Sequence, residues 1–356
     1  MTRDLDDRPA LGGWRPATHL IGLVERRLSA DFGTGTGAAW RPTAILRGAG
    51  VAGACVVLLA GPVRGAARAQ VVSAPPARVA ADAAALDGQV AAALAGFRGR
   101  VALYAKNLDT GATYSLHGDE RVRTASTIKL AIMVTAFAKV AAGAVHWDDP
   151  VVLTKEKKLG GSGVLGEFAD GTRLTLRDVV NLMIVVSDNT ATNLVLDAVP
   201  ADAVNAQMDA LGLRNTRSLR KVGGGGDSQA NADPGNRLFG LGVSTPREMV
   251  SLLEKLERGE IVSPEASREM VELLKREQAN EAIGRSLYDV PIASKSGALD
   301  RLRSDVAIVY TRRGRIAMAI TVDDMPEVFY TVDNPGLLLI SRLSLILLDG
   351  LGSGPA

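Results

Sequence analysis

Apolar residues recur along this chain at two spacings, one helical and one alternating. Over residues 81–97 the period is helical, with Leu86, Val90 and Leu94 on one side. Residues 101–108 alternate as a strand, Asp109-Thr110-Gly111 supplies a turn, and residues 112–116 return. The spacing then predicts a helix from about 126 to 142. The middle of the chain keeps the helical period over 176–186, 191–199, 246–258 and 264–275. Thr245 stands as an N-cap there, with Pro246 at the first helical position. Alternation comes back over 292–296, 304–311 and 315–322, with Arg313-Gly314 as the tight turn between the last two. Residues 337–348 close the pattern as a strongly apolar helix.

Two strands therefore lie at the start and three at the end, with helices between. Short hairpin connections imply an antiparallel sheet. The expected architecture is α+β: one five-stranded antiparallel sheet flanked by the N- and C-terminal helices. A helical lobe is inserted between the second and third strands. The sheet lobe would take residues of about 80–125 and 285–356, and the helical lobe about 126–284. A cleft between the lobes is where a ligand would sit. One long irregular stretch, from Gly223 to about Gly242, is rich in Gly, Asn and Asp; loops of that length are usually functional or disordered.

Residues 1–69 do not share these patterns. Arg41 and Arg47 precede an apolar run over 49–60, Pro62 breaks it, and Ala67-Arg68-Ala69 gives a small-x-small site before Gln70. That is the layout of a secretory signal peptide. The run is shorter than the ~20 residues of a membrane-spanning helix. The expectation is an N-terminal extension and signal peptide over 1–69, cleavage near Ala69, and one exported catalytic domain over 70–356, periplasmic or secreted, without a stable membrane span. Asp4, Asp6, Asp7 and Glu25 are unusual before a signal peptide, and a mis-set start is one explanation. Cys55, inside the apolar run, reads as a small hydrophobe. The exported domain then has no cysteine and must be held by its core.

Composition narrows the chemistry. The net charge of +2 is too mild for a nucleic-acid-binding stripe. Three histidines and one cysteine exclude a disulfide scaffold and a cysteine-rich zinc site, and no HExxH, GxSxG or G-x-x-x-x-G-K-[ST] motif is present. His117 and His146 have no nucleophile context and read as surface residues. No metal and no organic cofactor is implied. Chemistry run by Ser, Lys, Asn and carboxylates remains.

Ser126-Thr127-Ile128-Lys129 is the first candidate. Residues three apart on a helix share a face, so Lys129 can reach the Ser126 hydroxyl. A serine hydroxyl needs a base, and a lysine serves when burial or another cation lowers its pKa. Ser218-Leu219-Arg220-Lys221 also fits S-x-x-K, and Ser126 alone could be a plain helix N-cap. Context separates the two, because Ser126 opens an apolar helix whereas Ser218 runs into four glycines. Ser187-Asp188-Asn189 follows between two apolar helices, and Lys295-Ser296-Gly297 lies on a predicted strand.

These three motifs, in this order and on these elements, resemble those of class A β-lactamases within the serine β-lactamase and penicillin-binding superfamily. The resemblance runs from about Val101 to the final helix. It implies that Ser126 is acylated, with Lys129 as base or proton relay. Ser187 would pass a proton to the departing nitrogen, and Asn189 would hold Lys129 and the substrate amide. Lys295 would add positive potential, Ser296 would donate to the substrate carboxylate, and Gly297 would let substrate lie close to the strand. The oxyanion hole would be the backbone N–H groups of Ser126 and Ala298. Arg303 would meet the substrate carboxylate, with Arg301 and Arg220 as competitors.

The chain departs from the resemblance at one place. Class A enzymes carry a Glu after S-D-N that holds the deacylating water, and no Glu occurs from Asn189 to Arg247. The carboxylates of the Gly-rich loop are Asp227 and Asp233, each one methylene shorter than Glu, and these are the candidates for activating water. Slow deacylation follows unless another base serves. Three activities stay open: opening of β-lactams, a D-Ala-D-Ala-type peptidase or esterase on peptidoglycan-like acyl substrates, and a penicillin binder without turnover. The expected assembly is a monomer.

Overall fold

In a computed structural model the described residues are 77–352, within a compact unit running from Val71 to Ala356. The signal peptide, Cys55 and the cleavage site near Ala69 lie outside the described residues. The alternating segments pair as the hairpin spacings require. Strands β1 (Arg100–Asn107) and β2 (Thr113–Leu116) form the first hairpin. Between them and the closing strands come β3 (Val122–Arg123), β4 (Pro150–Val152), β5 (Arg173–Thr175), β6 (Arg217–Ser218) and β7 (Gly242–Ser244). The closing strands are β8 (Ile292–Leu299), β9 (Leu302–Thr311) and β10 (Gly314–Asp323). The main sheet is antiparallel in the order β2-β1-β10-β9-β8. β8 is therefore an edge strand, and its open edge is available to a site.

Helices cover both faces of this sheet, so its central strands read as nearly continuous apolar runs. α1 (Ala77–Leu94) and α9 (Pro335–Leu351) pack on one face, where Leu103, Met318 and Ile320 meet Leu86, Val90, Leu343 and Leu347. The alternate residues Tyr104, Val306, Ile308, Ala317 and Ala319 point the other way. They join the core of the helical lobe, built from α2 (Lys129–Ala141), α3 (Leu176–Val185), α4 (Asn189–Ala198), α5 (Ala201–Ala210), α7 (Pro246–Glu257) and α8 (Pro264–Leu274). α2 is buried all round from Lys129 to Phe137, as a helix apolar on every side must be. The α+β architecture with a helical insertion between the second and third strands of the main sheet is as expected. No helix among the described residues is long and apolar enough to cross a membrane.

Three features of the insertion were not foreseen. α5 buries Ala201, Val204, Asn205 and Met208 at helical spacing, but Asn205 breaks the apolar stripe. Its amide instead pairs with the backbone of Ser218, donating to the carbonyl at 3.0 Å and accepting from the N–H at 2.8 Å. The order β3-β7-β6 and the β4-β5 ladder are made of two- and three-residue strands, too short for alternation to show. The Gly-rich stretch contains a 3-10 turn at Gln229–Ala232 and the short α6 (Pro234–Arg237), capped by Asp233.

Candidate active site

Ser126 sits in a 3-10 turn, Ala125–Ile128, that leads straight into α2. Ala125 before it has φ of +48°, and Ser187 has φ of +53°. Left-handed backbone at a non-glycine costs about 1–3 kcal/mol and persists where surrounding structure over-determines it, typically at functional sites. Here it turns both hydroxyl-bearing residues into one cleft of about 730 Å³, lined also by Asn189, Ser296, Gly297 and Ala298. Three separate parts of the sequence thus converge.

Lys129 is fully buried beside Ser187 and Asn189. Its Nζ donates to the Ser187 carbonyl at 2.6 Å, the Ser187 Oγ at 3.2 Å and the Asn189 Oδ1 at 3.2 Å. Burial, and then the like charge of Lys295, hold its pKa well below the ordinary lysine value; Asp188 and Glu277 oppose this. Ser187 and Asn189 are held in turn by Asp188 between them. The Asp188 carboxylate caps α4 at the Ala191 N–H and accepts from the N–H groups of Val164 and Leu165. Asn189 also donates through Nδ2 to the Gly160 carbonyl at 3.2 Å. The loop around 160–165 thus forms the wall on the Asn189 side.

β8 forms the opposite wall. The Ser296 N–H points away from β9, because it donates to Glu277 at 2.9 Å. N–H groups alternate sides along a strand, so the Ala298 N–H points to the same open edge, toward the cleft. Gly297 packs against the turn that bears Ser126: a Cβ there would lie 2.9 Å from the Thr124 carbonyl oxygen and 3.0 Å from the Ser126 nitrogen. Bare backbone at Gly297 is what lets β8 approach Ser126.

Glu277 was missed in the sequence. It stands between α8 and β8, far outside the interval where a glutamate was sought. Its Oε1 is 2.5 Å from the Lys295 Nζ, with side-chain exposures of 1% and 0%. The carboxylate also accepts from the Ser294 Oγ at 3.0 Å and the Ser296 Oγ at 2.8 Å. The Ser296 hydroxyl, expected to await a substrate carboxylate, donates to Glu277 in this structure. A buried lysine that keeps its charge needs an acidic partner, and Lys295 finds one in Glu277. Nothing in the local pattern says which carboxylate that is. Asp305, wholly buried behind the pair, is pushed up to about 8 by burial and by Glu277.

The remaining candidates separate. Arg303 lines the cleft, but its guanidinium donates to the carbonyls of Leu299, Leu302 and Phe329 and stacks on Tyr330. Asp227 and Asp233 are exposed and do not line the cleft; Asp227 accepts from Asn231, and Asp233 caps the Gly235 N–H. Arg301 donates to the Met325 carbonyl. Glu281 joins Glu277 among the residues that line the cleft.

The family model described as the beta-lactamase enzyme family matches residues 85–351. The chain belongs to the beta-lactamase enzyme family. It is 28% identical over 216 residues to the β-lactamase AER-1 of Aeromonas hydrophila, covering 59% of this chain and 68% of that one. A crystal structure of a β-lactamase from Sphaerobacter thermophilus is 32% identical with a TM-score of 0.66, covering 77% of this chain and 99% of that one. A PBP-A variant in an acyl-enzyme complex with penicillin G is 26% identical with a TM-score of 0.64, covering 74% and 94%. This protein is accordingly a β-lactamase-like serine hydrolase.

Proposed function

We propose that this protein is an exported hydrolase of class A type that acylates Ser126 with β-lactams and releases the acyl group slowly. The observation that carries the reading is Lys129, buried, depressed in pKa and hydrogen-bonded to Ser187 and Asn189, which line one cleft with Ser126. Neutral Lys129 takes the Ser126 proton as Oγ attacks the β-lactam carbonyl. The N–H groups of Ser126 and Ala298 receive the oxyanion; one such donor is worth about 3 kcal/mol. The C–N bond of the ring then breaks, and the proton passes from Lys129 through the Ser187 hydroxyl to the departing nitrogen. The product is an ester on Ser126.

Hydrolysis of that ester needs a base beside the incoming water. The Gly-rich loop brings no glutamate, and its two aspartates face solvent. Glu277 is held by Lys295, Ser294 and Ser296, which makes it a strut rather than a base. These features favour a persistent ester. The reading is tested by intact-protein mass spectrometry with penicillin, from seconds to hours, with Ser126→Ala as control. One lasting adduct on Ser126 is expected. An adduct that vanishes while excess penicillin is consumed overturns slow deacylation and makes Glu281 the next residue to replace. No adduct on folded protein overturns the β-lactam reading and leaves ester and peptide substrates of the same fold.

A further inference from the structure

Three arginines line the cleft. Arg123 is paired with Asp323, and the donors of Arg303 are taken by backbone carbonyls. Arg220 differs from both. It follows β6 at the start of the Gly-rich stretch, is half-buried, and makes no hydrogen bond or ion pair to any described residue. The neighbouring cations on that segment are already matched, Arg217 with Asp209 and Lys221 with Asp197. Two glycines stand beside its guanidinium. A Cβ at Gly224 would lie 3.7 Å from Nη1 and one at Gly240 4.0 Å from Nη2, and both glycines have positive φ. A guanidinium held half out of water with its planar fork of donors unused is suited to a carboxylate.

The position of Arg220 says which part of a substrate it meets. Asn189 donates to the Gly160 carbonyl, and the adjacent Leu159 side chain reaches within 3.8 Å of the Cβ position of Gly223. Val222 is tied at both backbone groups to Asn193, one turn along α4. The segment bearing Arg220 is therefore seated on the Asn189 wall. On the opposite wall the charge of Lys295 is already matched by Glu277. If Asn189 holds the acyl-side amide and Ser187 serves the leaving nitrogen, as proposed above, the unmatched cation faces the acyl group.

We propose that Arg220 is a specificity-determining residue that binds a carboxylate on the acyl side of the substrate, so that the preferred acyl donors are acidic in their acyl portion. This rests on the acyl-enzyme reading of Ser126. Benzylpenicillin and carbenicillin form the matched pair that tests it, because they differ only by a carboxylate on the acyl side chain. The measurement is the rate of Ser126 acylation against penicillin concentration, by quenched-flow and intact mass. Wild-type protein should acylate faster with carbenicillin, by on the order of tenfold, as expected for a charge-assisted pair. Arg220→Ala should abolish that preference by raising the half-saturating concentration for carbenicillin alone, with the limiting rate unchanged. Arg220→Lys should keep part of it. Melting of Arg220→Ala should match wild type, since no protein partner is lost. A preference that survives in Arg220→Ala, or no preference in the wild type, overturns the assignment while leaving the nucleophile intact. Failure of both penicillins to form any adduct on folded wild-type protein overturns the acyl-enzyme reading itself, and this assignment with it.

Discussion

Removing the carboxylate of Glu277 should cost this protein much of its stability. The Glu277 Oε1 and Lys295 Nζ are 2.5 Å apart with almost no exposure on either side chain. The same carboxylate also serves Ser294 and Ser296. Removing one partner of such a pair leaves an uncompensated buried charge, at a cost of about 3–5 kcal/mol. For a domain somewhat above 150–250 residues each kcal/mol shifts Tm by about 2–4 °C, so Glu277→Ala should melt about 6–20 °C below wild type. Glu277→Gln keeps most of the shape and hydrogen bonding and should fall between. Lys295→Met combined with Glu277→Ala removes both charges and should recover a large part of the loss, because apolar replacement of a buried pair is often neutral. Thermal unfolding by circular dichroism at pH 7 reads all three. A Glu277→Ala protein that melts within about 2 °C of wild type, or a double variant that falls by the sum of the singles, would refute the strut role.

Acylation should rise with pH through the depressed pKa of Lys129 and be flat above it. Lys295→Ala removes the like charge that helps depress it, so the acidic limb should move to higher pH in a rate profile. Gly297→Ala places a Cβ against the Thr124 carbonyl and the Ser126 nitrogen. Its acylation rate should drop by about 10²–10³, the price of a displaced oxyanion donor. Asp305 holds its proton more tightly when folded, at about 8 against an ordinary 3.8. Its contribution to stability is therefore complete below the ordinary value and is lost as pH rises toward about 8. Asp305→Asn should flatten that decline in melting temperatures measured across the same range.

Much of the fold was legible because its signals are long. Strands β9 and β10 and helices α2, α7 and α9 each carry enough apolar residues for their period to show. The strands of the small ladders do not, and α5 hid behind Asn205, whose polarity is satisfied by the backbone of β6, the next element along the chain. The three motifs were legible because each lies on a short continuous segment. What escaped was set by tertiary packing alone. Glu277 becomes a partner of Lys295 only when α8 delivers it to the edge of β8. Arg220 and Arg303 look alike in sequence and differ only in whether a carbonyl lies within reach.

The strand order has a consequence for how the chain acquires its shape. β10, made after β9, lies between it and β1, from the start of the domain. Until residue 323 has left the ribosome, the β1–β2 hairpin has no further strand to pair with and the β8–β9 ladder is not joined to it. Such sequence-distant pairing raises contact order and slows folding. A chain stopped before β10 would hold Ser126 at the head of its helix while the β8–β9 ladder stayed unjoined to the first hairpin. Assembly of the sheet behind the cleft is thereby coupled to the synthesis of β10.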